Sequence, residues 1–347
     1  PWRRWRRRRC SGSTRPRAGV LPVDEVFFGT IVASTLRVSV PLILCALAGV
    51  LCERAGVIDL GLEGKMLATA FATAAVGVTT GSLGLALIAA VAVGLALSML
   101  HGYACVSHRG DQVVLGMAIT MTAAGLTVVL GIAWFAQGGQ TPPVPESVRL
   151  DRWLTGLGDQ LETIPYIGTA LSLAFTGHNA MVYGALALVV GVWWLLYRTR
   201  FGLRLRAAGE NPAMVDAAGV SVKALRYQAL ALNGVLASLA GAYLVLAQNP
   251  SFIPHMTAGR GYMALAALIF GKWHPVGALW ACLLFGFLDA ISIRLQGAAL
   301  PAFLGGGQVP VQAIQAMPYV LTVVLLAGFI GSAVAPKALG RPYVKER

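Results

Sequence analysis

The chain of 347 residues is 57% hydrophobic and only 12% charged, with a mean hydropathy of +0.71, which excludes an ordinary soluble domain, where about a quarter of residues are charged. Its formal charge of +13 resembles that of a nucleic-acid binder, but eight of the 27 Lys and Arg lie in the first 17 residues and the remainder is nearly balanced. The five cysteines, Cys10, Cys45, Cys52, Cys105 and Cys282, show no paired spacing; they read as small apolar packing residues rather than a zinc site or a disulfide framework.

The opening PWRRWRRRRCSGSTRPR has no apolar core, so residues 1–24 read as a disordered, Arg-rich cytoplasmic extension. A solvated tail that fixes orientation is the simpler account of its charge, and binding to anionic lipid or nucleic acid is the alternative. Apolar segments follow at about 26–44, 45–61, 64–80, 83–106, 113–136, 180–197, 226–248, 262–272, 276–296 and 310–335. Most approach the roughly 20 residues that cross a hydrocarbon core as a helix, and none alternates as a β-barrel strand does. The expected fold is all-α, a polytopic membrane protein of about 8–10 transmembrane helices within residues 25–336. Segment 45–61 carries Glu53, Arg54 and Asp59, while 262–272 has about half the required length; both read as broken or re-entrant.

Basic residues set the orientation. Arg198, Arg200, Arg204, Arg206, Lys223 and Arg226 place the loop 198–226 in the cytoplasm. The head, His108 with Arg109, and the tail 337–347 fit the same side, and the long segment 137–178 fits the outside. These assignments agree when all ten segments cross. An internal echo accompanies them: Gly64-Lys65-Met66 and Gly261-Tyr262-Met263 each open a short apolar run, a Gly-containing turn and a long span. The two units would point in opposite directions, as in the inverted repeats of transporters, although chance among Ala- and Gly-rich spans gives similar echoes.

Within the basic loop, GENPAMVDAAGVS specifies a helix of about two turns. Asn211 suits its cap, Pro212 its first turn and Gly219 its stop. Glu210 and Asp216 offer acceptors to a partner, and Ala213, Met214, Ala217 and Ala218 offer a small apolar face. Such a helix is either a lever for a partner or a plain surface helix closing a loop.

Enzyme chemistry is not expected. HExxH, GxSxG, P-loop and paired-Cys motifs are absent from the sequence, and the five histidines are far apart. Any ATP-driven work therefore requires another subunit. Asp59, Glu63 and Asp289 fall at membrane depth. Asp59 and Glu63, at i and i+4, would share a helix face. With Lys65 they either line the path or contact a partner, or else Glu63 and Lys65 sit at a cytoplasmic span end paired with Arg54. The same choice holds for Arg37, Asp289 and Arg294, with Asp289 placed to pair with Arg294. For a neutral solute, the path residues to test are Asn233, Gln248, Asn249 and Phe252 with Gly259 and Gly261 of TAGRG. Helix packing is the plainer reading of Asn233.

Four separated stretches, RAGVIDLGLEGKML, the loop with GENPAMVDAAGVS, MTAGRGYMALAALIFGKWHPVGAL and PKALGRPYVKE, resemble the permease subunits of bacterial ABC importers of the ribose and branched-chain amino acid class, most closely the nucleoside and simple-sugar branch. The resemblance implies a multi-pass inner-membrane permease that forms half of a translocation path for nucleosides or simple sugars. It implies an ABC ATPase holding ATP and Mg, a second and paralogous permease, and a solute-binding lipoprotein as partners, with no cofactor or metal on this chain. Gly209, Glu210, Asn211, Pro212, Ala217 and Gly219 match the coupling-helix pattern. An ion-coupled secondary transporter, or a permease for branched-chain amino acids or another small solute, is the alternative.

Overall fold

The computed structural model describes residues 23–151, 172–173, 175–295, 316–317, 320 and 334–344. The first helix, α1 (Val23–Arg54), runs unbroken for 32 residues, so the two segments expected at 26–44 and 45–61 are one. Nothing between them breaks a helix: LILCALAGVL is apolar throughout, Pro41 is accommodated inside, and Arg54 comes in the last turn. At 1.5 Å per residue α1 is about 48 Å long, more than a hydrocarbon core requires. The merger removes one crossing from the expected ten. It also sets residue 23 at the end of the bundle remote from Arg54, so helix parity no longer carries the head to the side of the basic loop. The head itself and nearly all of segment 310–335 lie outside the described residues.

α2 (Leu62–Thr80) stops where Gly81 takes φ +65°. α3 (Leu83–Gly102) continues through a π turn at Tyr103–Ser107. α4 (Gln112–Phe135) starts on Asp111, whose side chain accepts the N–H groups of Val113 and Val114. Then come α5 (Ala180–Arg198), α6 (Arg200–Glu210), α7 (Pro212–Ala217), α8 (Val222–Tyr243, extended by a π turn at Leu244–Gln248), α9 (Arg260–Phe270) and α10 (Pro275–Leu295). α1, α3, α4, α5, α8 and α10 are long and apolar enough to span a membrane. The chain is a polytopic all-α membrane protein. α1 and α8 are its enclosed centre, while α3, α4, α5 and α10 turn apolar residues such as Ile88, Met121, Trp194 and Trp280 outward.

Two three-helix units repeat. α1 packs on α10 as α8 packs on α3, α1 on α9 as α8 on α2, and α2 on α3 as α9 on α10. α1 ends where α8 begins, with Arg226 Nε donating to the Ala55 carbonyl at 3.3 Å, so the units run in opposite directions. This is the arrangement expected from the two Gly-x-Met echoes. Glycine brings the crossings close: an added Cβ on Gly94 of α3 would lie 2.5 Å from the Gly234 carbonyl oxygen of α8, and one on Gly286 of α10 would meet Ser39 Oγ of α1 at 1.9 Å. In lipid, where no hydrophobic force drives helices together, such backbone approach supplies the packing energy.

One end of the bundle gathers Arg54, the start of α4, α6, α7, the α9–α10 turn and residues 334–344. Arg54 Nε donates to the Trp273 carbonyl at 2.9 Å, the Ile58 N–H to Gln112 Oε1 at 2.7 Å, and the Ala338 N–H to the Gly209 carbonyl at 2.9 Å. The opposite end holds Gly81, residues 136–151 and residues 248–258. There the Leu150 N–H meets the Leu246 carbonyl at 3.1 Å and the Val144 N–H meets that of Pro250 at 2.7 Å.

Candidate functional site

At the first end, the basic loop folds as two helices rather than one. Thr199 caps α6 through the Gly202 N–H, and Asn211 Oδ1 accepts the Met214 N–H at 3.3 Å to cap α7, with Pro212 at its first position. Gly219, at φ +80°, ends the turn after α7. Glu210, Asn211, Ala213, Met214, Ala217, Ala218 and Gly219 are exposed; Met214 is 70% exposed, while Val215 is buried beneath it with Val222, Leu225 and Tyr343. Asp216 is half-buried beside a groove of about 300 Å³ that it shares with Lys223 and Tyr343. Gly209 is buried, and no side chain fits there, since a Cβ would stand 2.2 Å from the Arg54 carbonyl oxygen. The exposed face of α7 therefore rests on a footing fixed to the end of α1 and to the C-terminal tail. In the neighbouring α9–α10 turn, burial first and Arg54 second hold the His274 imidazole below its usual pKa range.

About 16 Å in from the α9–α10 turn, counted along α9, the N-termini of α2 and α9 meet. Glu63, in the first turn of α2, gives its carboxylate to α9: Oε1 accepts the Gly259 N–H at 2.9 Å and Oε2 the Gly261 N–H at 2.6 Å. Gly259 holds φ +78°, which only glycine adopts without strain. Asp59 serves α2 in the same way, Oδ1 accepting the Gly61 N–H at 3.0 Å. Each carboxylate satisfies donors that a helix start leaves without partners, and each complements the helix dipole.

A buried polar hub adjoins this junction. Lys65 Nζ stands 2.6 Å from Asp59 Oδ2 and donates to Asn233 Oδ1 at 3.0 Å. Asn233 also accepts from Ser98 Oγ at 3.2 Å and donates to the Ala48 carbonyl at 3.2 Å. One amide thus ties α8 to α1, α2 and α3. His101 Nδ1 lies 3.2 Å from Asp59 Oδ1, within ion-pair range but outside hydrogen-bond geometry.

Several expected pairings change. α2 begins at Leu62, so Asp59 precedes the helix and the expected Asp59–Glu63 face does not form. Glu63 and Lys65 do not pair with Arg54, which turns to the carbonyls of Trp273 and Lys272. Asp289 is half-buried on α10, and the side chain of Arg294 lies outside the described residues.

The path candidates land apart. Asn233 is fully buried in the hub, and Phe252 is fully buried against Phe71, ring centroids 5.2 Å apart. Asn249 is half-buried beyond the π turn of α8, while Gly259 and Gly261 lie on the Glu63 carboxylate. Gln248 is held at both ends, Oε1 by Arg260 Nη1 at 2.9 Å and Nε2 on the Arg37 carbonyl at 3.0 Å. Arg260, the Arg inside TAGRG at the start of the short apolar run, was not among the expected path residues. A cleft of about 660 Å³ opens between α2, α3 and α4, but Phe71, Leu97, Ile119 and Trp134 are among its walls and His101 is its one ionisable lining residue. Such walls suit hydrocarbon better than a polar solute.

An inverted pair of three-helix units, a half-length helix starting at membrane depth and an exposed helix on one end define a membrane transport protein. Residues 31–330 match the model of the family described as "Branched-chain amino acid transport system / permease component", and the chain belongs to that family. It is 40% identical over 321 residues to the guanosine ABC transporter permease protein NupQ of Bacillus subtilis, covering 91% of this chain and 96% of that one. It is 37% identical to the nucleoside ABC transporter permease protein NupC of Lactococcus lactis subsp. cremoris, covering 91% and 97%. To the ribose import permease protein RbsC of Escherichia coli K12 it is 30% identical over 243 residues, 67% of this chain and 68% of that one.

Proposed function

We propose that this chain forms half of the translocation path of an ATP-driven importer that carries nucleosides or related simple sugars across a bacterial plasma membrane. The observation that carries the reading is the near full-length similarity to a guanosine permease and a nucleoside permease, against a shorter match to a ribose permease. In this reading the loop 198–226 and the tail face the cytoplasm. An ABC ATPase, which holds the ATP and Mg, grips the exposed face of α7. A second, paralogous permease completes the path, and a solute-binding lipoprotein delivers the solute outside.

The parts of α7 suit that task. Its exposed apolar residues, Ala213, Met214, Ala217 and Ala218, offer contact area, and its footing packs closely on the end of α1 where Gly209 meets Arg54. Closure of the ATPase on ATP would push this footing and, through α1, the two halves of the repeat. Uptake of labelled guanosine, adenosine and ribose by cells with and without the chain tests the assignment. Nucleoside uptake that depends on the chain is the expected result; uptake of all three unchanged by its loss would remove the solute class.

A further inference from the structure

Charged side chains collect at the repeat interface within the depth of the spans. Counting 1.5 Å per residue, Arg37 stands roughly 25 Å along α1 from Arg54, and Asp289 roughly 21 Å along α10 from Pro275. Arg260, at the start of α9, stands about 16 Å along that helix from the same end, so the three span about 10 Å of depth. Arg37 is exposed, as Val32 is about one and a half turns before it, while α1 is buried nearly throughout from Ser39 to Ala48, and Arg260, Asp289 and Gln248 are half-buried. The Gln248 side chain joins α9 to α1 through its bonds to Arg260 and to the Arg37 carbonyl. α10, which carries Asp289, packs against α9.

Charge at the centre of a bilayer costs at least about 2.5 kcal/mol per residue by insertion scales, so intramembrane charges face a water-filled cavity or a partner group. An Arg exposed on the central helix of the bundle fits the first case. The dipole of α9 is not what such a cavity meets, because the Gly259 and Gly261 N–H groups are already held by Glu63. At the start of α9 stands the Arg260 guanidinium, already partnered by Gln248, whose planar fork of several N–H donors matches paired acceptors. Asp289, on the neighbouring α10, supplies the acceptor that Arg lacks. Together they suit a neutral solute carrying both kinds of group, such as a base edge or a sugar diol.

We propose that Arg37, Arg260 and Asp289 line the aqueous solute path, and that Arg260, positioned by Gln248, reads the hydrogen-bond acceptors of a neutral polar solute. The proposal rests on the importer reading, whose solute class it deepens, and its test has two arms that separate the two. In the first, Arg37→Cys, Asp289→Cys and a lipid-face control, Ile88→Cys, are made in a chain whose own cysteines are replaced, and intact vesicles are exposed to a water-soluble methanethiosulfonate reagent. Labelling of positions 37 and 289 but not 88, slowed when guanosine is present, is expected. Positions 37 and 289 labelling no faster than 88 would overturn the path.

In the second arm, Arg260→Lys keeps the charge and loses the fork, and Gln248→Ala loosens its orientation. Guanosine uptake by Arg260→Lys should need a tenfold or higher concentration for half-saturation, with maximal rate and ATPase co-purification little changed. Gln248→Ala should move the same way by a smaller factor. Unaltered concentration dependence in Arg260→Lys overturns the reading role. Loss of assembly in both variants also overturns it, since Arg260 would then be structural. If instead no nucleoside is taken up by the unaltered chain, the importer reading fails while the labelling arm still reports on the path.

Discussion

Glu63 and Gly261, 198 residues apart in sequence, meet at 2.6 Å between the carboxylate Oε2 and the backbone N–H. The contact joins the start of α2 in one repeat unit to the start of α9 in the other, and no Cβ fits there: one on Gly261 would stand 2.6 Å from Glu63 N and Cα.

Removing that carboxylate leaves two N–H groups at the start of α9, those of Gly259 and Gly261, without their acceptor. A buried donor left unsatisfied costs about 1–3 kcal/mol, so Glu63→Ala should destabilise the solubilised protein by about 2–4 kcal/mol, less if water reaches Gly259. Gly261→Ala should act as strongly through overlap. Thermal denaturation in detergent measures both, and an unshifted midpoint for Glu63→Ala would show that water replaces the carboxylate at no cost. Glu63→Gln, which keeps an acceptor oxygen, should fall between.

The Asp59–Lys65 pair answers differently. Both side chains are inaccessible to solvent and 2.6 Å apart, and breaking a buried pair by deleting one partner typically costs about 3–5 kcal/mol because the other charge is left alone. Lys65→Met and Asp59→Asn should each destabilise within that range. The double variant should recover part of the loss, since no uncompensated charge remains. A double-mutant cycle on denaturation midpoints measures the coupling, and strict additivity of the two losses would mean that Asn233 and His101, not the pair itself, carry the energy.

Local chemistry was the most legible part of the sequence. The cap at Asn211, the Pro212 start and the Gly219 stop all follow from residue type, and the structure places each so. The inverted repeat was legible as two Gly-x-Met echoes. The break assumed near residue 45 was not real: Glu53 and Arg54 lowered the apparent quality of a span whose last turn they merely occupy, where Glu53 finds the Trp273 indole N–H and Arg54 the carbonyls of the α9–α10 turn. The partners of Glu63, Asp59 and Asn233 could not be read at all. A carboxylate at membrane depth announces that it needs a partner, but the distance along the chain to that partner is set by the packing of the two units. The basic flank Arg200–Glu210 was legible as charge and not as helix, because its Arg residues alternate with glycine and leucine in a pattern that only the Thr199 cap and the packed Leu205 and Ala208 resolve into α6.

Position 209 tests the footing of α7. An added side chain there would meet the Arg54 carbonyl at 2.2 Å, so Gly209→Val should push α6 away from the end of α1 and break the Ala338–Gly209 bond. The expected outcome is reduced uptake with ATP hydrolysis retained, measured on vesicles containing the assembled transporter. Normal uptake at normal expression would show that the footing yields without consequence.

The exposed face of α7 separates a lever from a loop closure. Glu210→Ala removes an exposed acceptor at the end of α6, and Gly219→Val forces a β-branched residue into φ +80°, a conformation that costs a non-glycine residue about 1 kcal/mol or more. Neither touches the membrane-embedded core, so the chain should still reach the membrane. If an ATPase grips α7, both variants should lower uptake severalfold more than they lower ATP hydrolysis, and Met214→Asp, placing charge on the 70% exposed apolar contact, should weaken co-purification of the ATPase. Retention of uptake and of co-purification in all three would leave α7 as a surface helix that closes a loop. Retention of co-purification with loss of uptake would place the grip elsewhere on the same end of the bundle, where residues 334–344 lie against α6 through Ala338 and Gly209.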